Sequence, residues 1–240
     1  MRFFEKGQLV HITSRALIDI FREKDDCYRF IFQFYATNLG KRGNNVYPAD
    51  AVRAGQALLV GEKIPDRFVI KEHSPLVDVL DFSLVVNHNH FYLLPRIKNA
   101  IPILMQRLNN GFAKFFNINH NRKDAVFGSR YKGVLVETDR QSYAVTRYVS
   151  IINPLDIFQP GWREEGLKNK KEALDFLKKY EFSSFLDRIG ERNSKILAPL
   201  EVLERYSFGT SYKGSTEYLE FAEEFLKERE KLDFSNLFVE

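Results

Sequence analysis

Two histidines separated by one residue, His88 and His90, have the side-chain types and the spacing needed for metal chemistry. If this stretch is a strand, side chains alternate between its faces and both imidazoles point the same way. Neutral imidazole nitrogens in that arrangement hold a divalent metal ion, which acts as a Lewis acid on a bound phosphate oxygen. The alternative is a pair of structural histidines at a hairpin mouth, hydrogen-bonded to the backbone.

Tyr148 is the candidate nucleophile that accompanies the histidine pair, and it lies 58 residues after His90. A phenol ionises at about pH 10, so it is a weak nucleophile by itself. A nearby metal ion or base favours the phenolate, which attacks phosphorus and forms a covalent phosphotyrosine. Tyr131 and Tyr143 compete for this role, and a packing function is the alternative for a helical tyrosine.

The elements that must position these groups follow from hydrophobic periodicity, which predicts a strand, a helix, a hairpin, a helix, a strand and a helix. The predicted ranges are residues 9–14, 25–39, 77–86 with 88–94, 100–118, 131–136 and 139–153. This order predicts an α+β fold, a ferredoxin-like antiparallel sheet with helices on one face. Residues 161–240 are predicted to be mostly helical, so we expect a domain over 1–160 and a helical C-terminal extension over 161–240.

Composition excludes several classes of protein. The chain has 240 residues, of which 44% are hydrophobic, enough for a substantial core. It has no uninterrupted apolar run of the roughly 18 residues that a membrane span needs. Its start lacks the apolar segment of a secretory signal, and a single cysteine, Cys27, excludes an internal disulfide. We therefore expect a cytoplasmic protein with no membrane partner.

Positive charge is concentrated in the first two thirds of the chain. Residues 1–160 carry 22 basic and 15 acidic side chains, whereas residues 161–240 carry 14 and 17. Within residues 91–132 there are eight basic side chains and one acidic one. Such a block suits phosphate contacts, although a solvated helix face is the alternative. The run Arg130, Tyr131 and Lys132 combines charge with an aromatic ring that stacks on an unpaired base, and Arg15 is expected to contribute similarly.

Several short motifs occur in a specific order along the chain. They are His11-Ile12-Thr13-Ser14-Arg15, Asn87-His88-Asn89-His90-Phe91-Tyr92-Leu93-Leu94, Phe127-Gly128-Ser129-Arg130-Tyr131-Lys132, Arg147-Tyr148-Val149, Asn153-Pro154 and Tyr180-Glu181-Phe182-Ser183-Ser184-Phe185. With these motifs, residues 9–162 resemble the HUH-type single-strand DNA transposases that use one catalytic tyrosine. The resemblance is greatest to the transposases associated with repetitive extragenic palindromes, and it covers about two thirds of the chain.

This resemblance implies a metal-dependent endonuclease and strand transferase that acts in DNA transposition and recombination. His88 and His90 would hold Mg²⁺ or Mn²⁺ at the scissile phosphate of single-stranded or hairpin DNA. Tyr148 would attack that phosphate and leave a 5′-phosphotyrosine and a free 3′-hydroxyl. Relatives include monomers and dimers that exchange the tyrosine-bearing helix, so a homodimer is possible.

Two positions depart from the family pattern. Asn89 stands between the histidines where the family usually has an apolar residue, and its buried amide needs partners. Ile152 stands one helical turn after Tyr148, where some relatives have a third ligand. Asn153 is a possible substitute if the helix loosens before Pro154. Two other hypotheses therefore remain: an inactive binder of structured single-stranded DNA, and a metal hydrolase that uses water as its nucleophile.

Overall fold

The computed structural model describes residues 4–40, 46–68, 74–206 and 216–227. Its strands are β1 (Leu9–Arg15), β2 (Val77–Val85), β3 (His88–Pro95) and β4 (Lys132–Val136). The helices before β4 are α1 (Lys24–Asn38), α2 (Pro48–Val60) and α3 (Ala100–Asn119), with a 3₁₀ turn at Asp66–Phe68. The helices after β4 are α4 (Asp139–Arg147), α5 (Asn153–Phe158), α6 (Trp162–Glu165), α7 (Lys170–Leu177), α8 (Phe185–Arg188), α9 (Leu200–Arg205) and α10 (Thr216–Lys227). A π-helical turn, Tyr148–Ile152, joins α4 to α5.

The four strands form one antiparallel sheet in the order β2-β3-β1-β4. This order is that of a ferredoxin-like sheet, and the structure confirms the predicted α+β fold with a helical C-terminal part. The register places Thr13 of β1 opposite His90 of β3 and opposite Lys132 of β4. Because directly paired residues share a face, these three side chains project from the same side of the sheet.

The opposite side of the sheet, which we call the first face, packs against α1, α2 and α3. Its side chains include Ile12 and Phe91, both fully buried. Phe34 of α1 stacks on Phe91 with 4.3 Å between ring centroids. This layer agrees with the prediction of helices on one face.

The side that carries Thr13, which we call the second face, is also covered by helices. Leu80, Tyr92 and Val136 project from it and pack against the π-turn, α5, α7 and α10. The expectation that helices occupy a single face is therefore incomplete for the elements after β4. The physical reason is that the second face has apolar side chains of its own, which need a second layer to leave water.

The described part of residues 161–240 contributes to this second layer. The backbone N–H of Leu84, in the edge strand β2, donates to the Phe182 carbonyl at 2.9 Å, and the Leu84 carbonyl accepts a hydrogen bond from the Tyr180 hydroxyl at 2.6 Å. Arg188 forms a buried ion pair with Asp81 of β2. The division at residue 160 remains a prediction. Among the described residues, no helix is both long and apolar enough to cross a membrane.

Candidate active site

The histidine pair lies where β3 leaves the β2–β3 turn, and both rings project from the second face. Their ring centroids are 4.9 Å apart. His88 is 9% exposed and His90 is 3% exposed. The strand therefore places the two imidazoles side by side, in the geometry expected from their spacing.

Hydrogen bonds fix the ring orientation of both histidines. The Nδ1 of His88 lies 2.8 Å from Asn87 Oδ1, and because that oxygen only accepts, Nδ1 carries the proton and Nε2 keeps a lone pair. The Nδ1 of His90 lies 3.0 Å from His11 Nε2 and 3.1 Å from Thr13 Oγ1. The Nε2 of His90 is buried and has no partner among the described residues. These contacts are the kind that orient metal-binding imidazoles.

All three histidines of this cluster are held neutral. Burial lowers the pKa of His88 to about 3, with Arg15 and Arg163 adding to the effect. Burial also lowers the pKa of His11 to about 3 and the pKa of His90 well below its ordinary value. Neutral imidazoles are the form that binds metal. The orphaned Nε2 of His90 and the free lone pair expected on His88 fit a divalent ion whose other positions are filled by water and phosphate oxygens, as Mg²⁺ tolerates.

Tyr148 enters the site from the helical layer above the sheet. A capping box formed by Thr138 and Gln141 starts α4, and Tyr148 follows its last residue. The Tyr148 ring is in edge contact with His90 at 5.4 Å and with His11 at 5.8 Å between centroids. The structure thus brings the predicted nucleophile to the predicted metal ligands within one chain.

The π-turn that begins at Tyr148 explains the position of Asn153. The Asn153 N–H donates to the Tyr148 carbonyl, five residues earlier. Pro154 has no N–H to donate to the carbonyl of Ser150, so the regular ladder is interrupted here. A five-residue turn brings side chains 148 and 153 to the same side of the helix, whereas Ile152 points into the core and is fully buried.

Arg163 of α6 connects Tyr148 with Asn153. Its Nη1 donates to the Tyr148 hydroxyl at 3.4 Å and its Nη2 to Asn153 Oδ1 at 3.1 Å. Asp156 holds the guanidinium through contacts of 2.9 Å and 2.5 Å. The oxygen with which Asn153 would bind a metal is therefore engaged by Arg163. A role for Asn153 as third ligand remains a prediction.

The sequence analysis missed His11 and Arg163. His11 reaches the site because β1 pairs with β3, and a lone histidine in a strand gives no indication of that pairing. Arg163 lies 15 residues after Tyr148, beyond a helix and a turn. The one available indication for His11 was its two-residue spacing from Thr13, which places both on the same strand face.

The residues predicted to contact DNA are divided between two places. Arg15 is directly opposite His88 in the sheet and is exposed. Lys132 is opposite Thr13 on the same face. Arg130 and Tyr131 instead line a cavity beside α3, at the other side of the sheet. The structure thus brings Arg15 and Lys132 to the histidine site and leaves Arg130 and Tyr131 apart from it.

The competing tyrosines lie elsewhere. Tyr143 packs against Phe221 of α10, with 5.1 Å between ring centroids. Tyr131 is half-buried at the cavity beside α3. Of the three candidates, Tyr148 is the tyrosine in ring contact with His90 among the contacts that the structure describes.

A second group of possible ligands, Glu23, Asp26 and His120, lies at one end of α1 and α3, with ligand atoms within 4.8 Å of one another. The Nε2 of His120 is 2.9 Å from a carboxylate oxygen of Asp26. This hydrogen bond fastens the end of α3 to α1, and a structural role accounts for the group.

Comparison with known proteins finds only distant similarity. No family model matches the sequence, and no curated protein matches it. Among solved structures, the chain is similar to a REP-associated tyrosine transposase bound to a REP hairpin, with 12% identity and a TM-score of 0.45. The similarity covers 83% of this chain and 90% of that chain. A similarity this distant does not indicate a function, so the function is inferred from the residues of the site.

Proposed function

We propose that this protein is a metal-dependent single-strand DNA endonuclease and strand transferase that acts on hairpin-containing DNA through a 5′-phosphotyrosine. The observation that carries the proposal is the edge contact between the Tyr148 ring and the His90 ring, 5.4 Å between centroids. A phenol beside two neutral imidazoles that can hold a cation is suited to phosphoryl transfer.

In the proposed reaction, the Tyr148 oxygen attacks the scissile phosphorus and the bond to the 3′ oxygen breaks. The phenolic proton leaves to solvent, the departing 3′ oxygen gains a proton, and the 5′ side stays attached to the enzyme. A divalent ion bound by Nε2 of His88 and His90 would supply Lewis acidity at the phosphate. Attack by a 3′-hydroxyl on the phosphotyrosine reverses the step and joins a strand.

Arg163 has a defined part in this scheme. Its guanidinium rests on the Tyr148 hydroxyl, where positive charge favours the phenolate. Tyr148 is only 2% exposed, so an incoming phosphate must displace some of the contacts around it. A guanidinium binds phosphate through a bidentate fork, and Arg163 can therefore pass from the hydroxyl to the phosphate as the substrate enters.

The charges around the site suit a DNA strand. Arg15 is exposed next to His88, and Lys132 lies two strands from His90 on the same face. Each can neutralise a backbone phosphate on either side of the scissile bond. Because Tyr148 lies beside the histidines of its own chain, this scheme needs no exchanged helix. A homodimer remains a prediction from the family resemblance.

A second candidate is an inactive binder of structured single-stranded DNA. It is favoured by the burial of Tyr148 and by the engagement of Asn153 Oδ1 with Arg163. The two candidates are separated by incubating the protein with a hairpin-bearing oligonucleotide and Mn²⁺ and then denaturing it. The endonuclease gives a covalent protein–DNA adduct that Tyr148→Phe does not form, whereas the binder gives none. Cleaved DNA without an adduct would indicate a hydrolase that uses water.

A further inference from the structure

A cavity of about 650 Å³ lies between α3 and residues 125–131, away from the histidine site. This is within the range of about 300–1,000 Å³ typical of small-ligand sites. One wall is the helix surface around Asn109, and the other includes Phe127 and Tyr131. Neither the fold nor the catalytic scheme accounts for it.

We propose that this cavity, called the α3 cavity below, receives one unpaired nucleobase of the DNA strand whose scissile phosphate is at Tyr148. The inference rests on the proposed function, because it takes that strand as its ligand. It adds a base-recognition site to the cleavage site.

The first support is the connection between the two sites along the chain. Arg15, opposite His88, is followed by Ala16, which forms a bridge with Phe127 of the cavity wall. The next residue, Leu17, donates its N–H to Val126 O at 2.8 Å. The wall of the α3 cavity is therefore fastened to the end of β1 immediately after Arg15. A DNA strand that continues past Arg15 and around this end of the sheet would therefore reach the cavity on the other side.

The second support is the chemistry of the lining. Phe127 and Tyr131 offer aromatic surface on which a base stacks. Gln106 and Asn110 of α3 add exposed amides, which carry both donors and acceptors for the edge of a base. This pairing of flat apolar walls with amides suits a nucleobase better than a lipid or an aliphatic ligand.

The third support is a buried polar atom of Asn109, a residue of the cavity wall. Asn109 Nδ2 donates to Ser14 Oγ at 2.7 Å, which fixes the amide, and Asn109 Oδ1 is buried with no partner among the described residues. Orphaned polar groups beside a cavity are expected where a ligand supplies the missing partner.

The fourth support is charge. The residues that line the α3 cavity include the exposed Arg130 and no acidic side chain. This favours a ligand that carries a phosphate and disfavours a basic peptide. A base in a DNA strand and a free nucleotide share this chemistry, and the continuity with Arg15 favours the strand.

The test uses the full chain with Tyr148→Phe, in EDTA, so that binding is measured without cleavage. The ligands are hairpin oligonucleotides that each lack one base, at successive positions of the unpaired strand. Their binding is measured to Tyr148→Phe and to versions of Tyr148→Phe that carry one further substitution in the cavity. We expect one position next to the cleavage site where loss of the base weakens binding about tenfold. Adding Tyr131→Ser removes the stacking surface and adding Ala125→Trp fills the cavity mouth, so in both cases that difference should disappear. Adding Tyr131→Phe keeps the aromatic ring, and the difference should remain.

Two results would overturn the proposal. One is an abasic effect that is the same in all these variants, with their folding verified by circular dichroism. The other is displacement of the oligonucleotide by a free deoxynucleoside monophosphate at comparable concentration, which would make the cavity a nucleotide site. Because this binding assay requires no cleavage, a position-specific effect would sustain the α3 cavity even if the wild-type protein gave no covalent adduct in the separate Mn²⁺ assay, a result that would reject the catalytic function alone.

Discussion

The guanidinium of Arg163 lies over the ring of Tyr148, 5.1 Å from its centroid, and donates to its hydroxyl at 3.4 Å. The same group contacts Asn153, which the π-turn brings to the same side as Tyr148. The proposed nucleophile is thus positioned by an arginine from α6 and by an irregular turn. Both features lie after β4, in the layer that covers the second face.

Replacing Arg163 should slow the chemical step more than it weakens DNA binding. We expect Arg163→Ala to reduce the single-turnover rate of adduct formation about 100-fold at saturating DNA, as for loss of one charge-stabilising donor. Arg163→Lys should recover only part of that rate because an ammonium lacks the planar fork. Arg53→Ala, an equal charge change on an exposed helix position, is the matched control. An unchanged rate in Arg163→Ala would rule out its role.

His11 should affect metal binding although it is not a proposed ligand. Its Nε2 is 3.0 Å from His90 Nδ1, so it orients the ring that would bind the ion. We expect His11→Ala to weaken Mn²⁺ binding about 10- to 100-fold, as is typical for an outer-shell partner. Titration of Mn²⁺ followed by electron paramagnetic resonance measures this. Arg53→Ala, at an exposed position of α2, should bind Mn²⁺ as the wild type does, and equal weakening in both variants would contradict the assignment.

The buried amide of Asn89 should make the folded protein less stable than an apolar residue would at this position. Its amide is fully buried, and neither of its polar atoms has a partner among the described residues. Leaving such a group unsatisfied costs about 1–3 kcal/mol, so Asn89→Leu should raise the free energy of unfolding by about 1 kcal/mol. Urea unfolding of the DNA-free protein tests this. A clear loss of stability would mean that the amide has a partner in solution.

Acid should destabilise the protein through the histidine cluster. Burial lowers the folded-state pKa of His88 and of His11 from 6.5 to about 3. Between these values the unfolded chain binds protons that the folded chain does not, so stability is complete above about pH 6.5 and is lost as the pH falls toward 3. The urea midpoint should therefore decrease from pH 7 to pH 5. In a variant with His11 and His88 both replaced by Gln the decrease should be smaller, and an equal decrease would exclude these histidines as its cause.

Most strands and helices were predictable from sequence because each is marked by a pattern of residues close together in the chain. A continuous apolar run at residues 91–94 marks β3, helical spacing marks α3, and Thr138 with Gln141 forms a capping box that starts α4. The second helical layer was not foreseen, because Asp81 and Ser83 of β2 are residue types that usually face water, whereas in the structure both are buried and Asp81 pairs with the distant Arg188. All nine residues of β2 are buried in the structure.

The candidate site was predictable only where its parts are close in sequence or match a family motif. His88 and His90 follow from strand alternation, and Tyr148 was identified through the resemblance. His11 and Arg163 join the site through strand pairing and through packing of α6, which are long-range events without a local pattern. Asn153 was linked to a loosened helix before Pro154, and the π-turn at Tyr148 provides that loosening.

Mass spectrometry of the protein after reaction with a hairpin oligonucleotide and Mn²⁺ tests the proposed chemistry at the level of a single residue. We predict that digestion yields one peptide, containing Tyr148, whose mass is increased by the 5′-phosphorylated DNA fragment, and that EDTA or His88→Ala with His90→Ala abolishes it. An adduct on a different tyrosine, or an equal yield from Tyr148→Phe, would contradict the assignment of Tyr148 as the nucleophile. Cleaved DNA with no modified peptide would contradict covalent catalysis altogether.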